Sequence, residues 1–308
     1  MKSKTVTIAE NFFCPCRREM AAEFFGTLTL VFFGVGAVNA AVLTGAQSGL
    51  WQVAVVWSVA VGMAIYCTGA ISGAHLNPAI TLSFFVWRKF PANRVLPYIA
   101  GQLAGAMTAS IILYTLFAGP IQAFETRRGI IRGTPESVVS AMVFGEYFPN
   151  PAIAASLGWN DSTVTHRTAM IAEGVGTFFL ALMIFGLTDK NNSSSPGQYL
   201  TPLSIGLTVA MIISVIAPLT QAGLNPARDL GPRIIAWAAG WGHVAIPGPR
   251  GGFFTVYILA PIIGALMAGY VWKFISAIVI NKFIDISEVS EISKISEVSE
   301  ISNQLKNE

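Results

Sequence analysis

Two stretches decide the fold: GAHLNPAIT at residues 73–81 and AGLNPARDL at residues 222–230. Each carries an Asn-Pro-Ala triplet, Asn77-Pro78-Ala79 in one and Asn225-Pro226-Ala227 in the other. Proline suits the first turn of a helix, where its missing N–H costs nothing. Asparagine suits the cap position just before it. The apolar stretches that follow, 77–87 and 225–239, are too short to cross a bilayer, which takes ~20 residues. Each triplet therefore reads as the start of a half-helix. Upstream, AEFFGTLTLVFFGVG (22–36) matches AEGVGTFFLALMIFG (172–186). Glu23 precedes Asn77 by 54 residues and Glu173 precedes Asn225 by 52. The chain is a duplication, and each copy holds three apolar runs. An odd number makes the second copy run through the membrane in the opposite sense, as in inverted-topology repeats. The half-helices then enter from opposite faces with their N-termini meeting near the midplane. Non-helical backbone at that depth is tolerated where it is buried in protein or lines a watery path, so this arrangement suggests a pore. A third Asn-Pro-Ala, at Asn150–Ala152, falls outside the repeat and reads as a turn signal.

Composition supports the same solvent. Hydrophobic residues are 53% of the 308 and charged residues only 11%, against about 25% charged in a soluble domain. Six stretches are long and apolar enough to span: roughly 20–43, 51–71, 95–118, 168–188, 201–222 and 253–280. Their only charges are Glu23, Glu173 and Lys273; Lys273 lies near a span end and can snorkel. Lys2, Lys4, Arg17, Arg18, Arg88, Lys89, Arg94, Lys190 and Lys282 fall on one side, which places both termini in the cytoplasm and the chain in the cell membrane. Arg127, Arg128, Arg132 and Arg167, on the long outer loop, count less under that rule. The first run is too long for a cleaved signal, and the net charge of +3 comes from basic span flanks and gives no argument for nucleic acid. Cys14 and Cys16 offer too few ligands for a metal. The expected fold is all-α, with six transmembrane helices and two re-entrant half-helices. Its parts are a cytoplasmic segment (1–19), a first repeat (20–118), an extracellular loop (119–167), a second repeat (168–280) and a tail (281–308). The tail repeats every three residues, a period that fits neither helix nor strand, and is expected to be disordered.

SGAHLNPAIT together with GLNPARDLGPR resembles the aquaporin family, also called major intrinsic proteins, over about residues 18–280. Asp229 after the second triplet, followed by Arg233, looks like the glycerol-facilitator branch. The resemblance implies a passive channel for glycerol, other small uncharged solutes and water that excludes ions and protons, working as a homotetramer. It implies that Asn77 and Asn225 donate side-chain N–H groups into the pore, and that Trp57, Ile213, Ala222 and Arg228 form the selectivity filter. That set departs from the usual glycerol facilitator, which has glycine where Ile213 stands and an aromatic where Ala222 stands; it looks more like some plant nodulin-type members. The alternatives are a predominantly water-selective pore, or a channel for metalloid acids, urea or ammonia.

The residues also bear readings of their own. Arg228 at membrane depth is either functional or a structural partner of Asp229. Glu23 and Glu173, as symmetry mates, read as acceptors bracing the two Asn-Pro-Ala loops rather than as a proton relay; His75 reads as a further brace. Gly101 and Gly105 allow close helix approach. No nucleophile–base set, phosphate loop, metal cluster or cofactor signature is present, so the chain is read as no enzyme. A secondary active transporter also uses inverted repeats, but it needs a coupling site that only the two glutamates could supply.

Overall fold

The computed structural model describes residues 16–278, and among these every regular element is helical. Cys14 and the repetitive tail lie outside the described residues. The long helices are α1 (Arg17–Asn39), α2 (Leu50–Ser72), α4 (Ala92–Arg128), α7 (His166–Leu187), α8 (Gly197–Thr220) and α10 (Thr255–Ile278). Among the described residues these six are long and apolar enough to cross a membrane. Between them lie the half-helices α3 (Pro78–Trp87) and α9 (Pro226–Ala236) and two shorter helices, α5 (Val138–Ala141) and α6 (Pro151–Leu157).

Small residues set the packing. A Cβ on Gly101 or Gly105 of α4 would run into the carbonyls of Met20 and Phe24 on α1. The contact these glycines permit is thus within one chain, a point the spacing leaves open. The second repeat has its own version: a Cβ on Gly264 of α10 would overlap the Gly174 carbonyl on α7. Close backbone approach of this kind is how helices associate in lipid, where there is no hydrophobic drive between them.

Two expectations need correction. The third span does not stop at 118; α4 runs to Arg128 with Pro97 and Pro120 inside it. Gly119-Pro120 looks like a stop, yet the extension buries Ile121, Phe124 and Glu125. That burial outweighs the hydrogen bond that Pro120 removes. The segment 119–167 is likewise no plain loop. It holds the end of α4, α5 and α6, and residues 142–150 are drawn into the protein, where every side chain is buried. Asn150 is more than a turn signal: its Oδ1 caps α6 by accepting from Ala152 N at 3.1 Å and Ile153 N at 3.4 Å, and its Nδ2 donates to Ala217 O at 2.9 Å.

Candidate functional site

The two Asn-Pro-Ala loops meet as a crossed pair. Asn77 caps α3, its Oδ1 accepting from Ala79 N at 2.8 Å, while its Nδ2 donates to Leu224 O at 3.0 Å. Asn225 caps α9, accepting from Ala227 N at 3.1 Å and Arg228 N at 3.2 Å, while its Nδ2 donates to Leu76 O at 2.7 Å. Each asparagine thus spends one amide hydrogen on the opposite loop. An amide nitrogen carries two, so one remains for the cavity that both side chains line. The approach to each cap is left-handed: Ala74 and Leu76 have φ of 48° and 51°, and Gln221, Ala222 and Leu224 have 66°, 63° and 54°. Non-glycine residues rarely adopt such angles, and the cost of holding them is of order 1–3 kcal/mol each.

The two span glutamates hold that conformation. Glu23 Oε1 accepts from Ser72 Oγ at 2.7 Å and His75 N at 2.9 Å; its Oε2 accepts from Leu76 N and Gln102 Nε2, both at 2.7 Å. Glu173 repeats the pattern, with Thr220 Oγ1 at 2.5 Å, Gly223 N at 2.9 Å and Leu224 N at 2.8 Å. Both carboxylates are fully buried. His75 packs against the rings of Phe84, Phe90 and Tyr98, with Nδ1 3.2 Å from Thr81 Oγ1. The second repeat has Gly223 at that place, so the histidine brace belongs to one loop only.

Trp57, Ile213, Ala222 and Arg228 come together from α2, α8, the second loop and α9. A cavity of about 160 Å³ lies on one side, lined by Val61, Ile65, Ile205 and Val209 and by both loops. A second, of about 170 Å³, lies on the other side, and Trp57, Ile213 and Arg228 line both. Two of the four are in direct contact: Arg228 Cζ sits 4.6 Å from the Trp57 ring centroid. Ala222 puts nothing bulky beside the guanidinium, so it reaches the indole face, which attracts a cation.

Arg228 does not pair with Asp229. Its Nη2 is ion-paired with Glu146 Oε1, on the buried segment between α5 and α6. Asp229 instead takes Arg233 Nε at 2.6 Å and Glu146 N at 2.8 Å. Arg233 donates further to Ala245 O at 2.8 Å and to Glu146 O. The acid beside the second triplet is therefore an anchor for the segment that delivers Glu146. Neither Glu146 nor the place of Arg233 emerges from motif spacing. The one available signal is that Glu146 is the only charged residue between Glu136 and Asp161. Residues 142–150 lie outside the six spans, and burial pushes the Glu146 carboxyl from its ordinary 4.5 up to about 8. Arg228 pulls the other way, while Asp229 and Glu173 add to the push.

Six spans, two half-helices joined head to head and a passage between their mouths define a multi-pass membrane pore protein. The family model described as Major intrinsic protein matches residues 12–272. The chain belongs to the major intrinsic protein family. Among its relatives, the propanediol uptake facilitator PduF of Citrobacter freundii is 40% identical over 260 residues, covering 84% of this chain and 92% of that protein. The glycerol uptake facilitator protein of Escherichia coli strain K12 is 42% identical over 253 residues, covering 82% and 85%. In structure, the aquaglyceroporin from Plasmodium falciparum matches with a TM-score of 0.71 and 25% sequence identity, covering 85% of this chain and 98% of that one.

Proposed function

We propose that the chain is a passive channel for glycerol and similar small uncharged polyols, passing water as well and carrying out no catalysis. The observation that carries this is the amphipathic passage. Val61, Ile65, Ile205 and Val209 offer an apolar wall, while Asn77, Asn225 and Arg228 offer donors. A polyol has both a CH face and hydroxyls and matches such a lining; relatives named for glycerol and propanediol uptake support the reading. Trp57, Ile213, Ala222 and Arg228 act as the filter, and Glu146 positions the arginine. The fixed charge of Arg228 repels cations. The facing N-termini of α3 and α9, each worth roughly +0.5 charge, oppose them again at the centre, the barrier known for aquaporin-type pores. Glu23 and Glu173 brace the loops and take no part in coupling. Both termini face the cytoplasm, and the working unit is a homotetramer. The test is solute-driven swelling of proteoliposomes with glycerol, propanediol, urea and water. Glycerol influx is expected to be indifferent to pH gradients and voltage and to stop at equal concentrations; uphill accumulation would overturn the channel reading.

A further inference from the structure

Where the far end of α3 meets the ends of α7 and α10, a cavity of about 450 Å³ is lined by Trp87, Arg88, Asp189, Lys190, Trp272 and Lys273. Three of these are cations and one is an acid, so the pocket is positive. The acid is already engaged, its Oδ2 accepting the Trp272 indole N–H at 2.8 Å. Arg88 is engaged too, donating to Thr188 Oγ1 at 2.7 Å and Phe185 O at 2.9 Å. The lysines are the exposed charges; Lys273 Nζ lies 5.8 Å from the Trp87 ring centroid. Beside the pocket, Phe85, Val86, Tyr270 and Phe274 are 42–66% exposed, the surface a membrane protein gives to acyl chains.

The placement combines three features. Tryptophans with a polar edge mark the membrane–water interface. Basic pockets between spans attract anionic headgroups. The apolar skirt continues from the pocket along the bilayer. We infer that this pocket binds the headgroup of an anionic phospholipid, with its phosphate held by Lys190 and Lys273 and its acyl chains lying over Phe85, Tyr270 and Phe274. A free phosphate would use the lysines but not the skirt. A zwitterionic lipid would bring its own ammonium into a pocket already positive. The bound lipid would add to the ties between the end of α3 and α10, which already meet through Trp87 Nε1 and Leu266 O at 2.9 Å and through the Trp87 and Tyr270 rings.

Native mass spectrometry of the purified full-length protein tests this, with phosphatidylglycerol, phosphatidylcholine and inorganic phosphate as separate additions. Phosphatidylglycerol should be retained over phosphatidylcholine by about thirtyfold, the worth of two surface lysines. Lys190→Ala/Lys273→Ala should fall to the phosphatidylcholine level, and Lys190→Arg/Lys273→Arg should keep the preference. Equal retention of the two lipids by the wild-type protein overturns the proposal, and that comparison needs no variant to fold. Undiminished retention by the alanine variant also overturns it, as does loss in a folded arginine variant. Displacement of the lipid by inorganic phosphate would make the pocket a site for soluble anions instead.

Discussion

Glu146 sits in a conflict of forces that a surface carboxylate never meets. Burial favours its neutral form, Asp229 and Glu173 add to that, and Arg228, with a smaller pull from Arg233, favours the charge. The folded protein therefore holds a proton near pH 8 that the unfolded chain releases near 4.5. The sign follows from linkage: the unfolded state binds fewer protons between these values, so stability falls as pH rises from about 4.5 to about 8. Thermal unfolding of the purified protein should show that decline, and Glu146→Gln should flatten it. A decline as steep in the variant would assign the titration elsewhere. Ile213 invites a second test at this scale. Ile213→His replaces part of the apolar wall with a polar group that water can use and a polyol's CH face cannot. The glycerol-to-water permeability ratio should drop several-fold; an unchanged ratio in folded protein would remove Ile213 from the filter. The proposed filter positions, Trp57, Ile213, Ala222 and Arg228, can be picked out because the family resemblance ties them to the two asparagines. Glu146 cannot, because it reaches Arg228 through a loop with no period and no spacing to either triplet. Its anchors, Asp229 and Arg233, stand four residues apart on one face of α9, yet what they hold lies more than eighty residues away in the chain.

At the scale of elements, the duplication was readable end to end because each half-helix carries its own start signal and each first span its own acid. Helix ends were harder. Nothing local tells that Gly119-Pro120 lies inside α4, since the answer depends on what Ile121 and Phe124 find to pack against. The braces show how one element depends on another. Three of the four donors that reach Glu23 come from the end of α2 and the first loop, and the fourth from α4. Glu23→Gln keeps one acceptor oxygen for two of the four donors and turns an amide NH2 toward the other two. It should lower the yield of folded protein moderately while the folded fraction still conducts, each lost bond to the charged group being worth ~1.5–3 kcal/mol. Glu23→Leu strands buried N–H groups at ~1–3 kcal/mol each, and should lower the yield of folded protein severely. Circular dichroism and size-exclusion profiles of the two variants separate the cases. Loss of transport in well-folded Glu23→Gln would mean that the carboxyl titrates in the working cycle.

The whole molecule keeps its polar business inside and turns a broad apolar surface outward. Val55, Val59 and Met63 on α2 and Leu203, Leu207, Met211 and Val215 on α8 are among the large side chains left exposed. Such rows suit both lipid tails and a second copy. If the homotetramer is the working unit, native mass spectrometry should give four copies, each conducting on its own; a monomer that is stable and fully active would contradict it. The crossed amides have one more consequence, which concerns synthesis. While the ribosome has made only the first three spans, the Leu76 carbonyl and one Asn77 hydrogen have no opposite loop to meet. The first loop is finished only by residues 147 to 149 positions further on. A nascent chain halted midway would therefore carry an open polar seam in the centre of the bilayer, a mark by which a cell's quality control could tell a truncated product from a complete one.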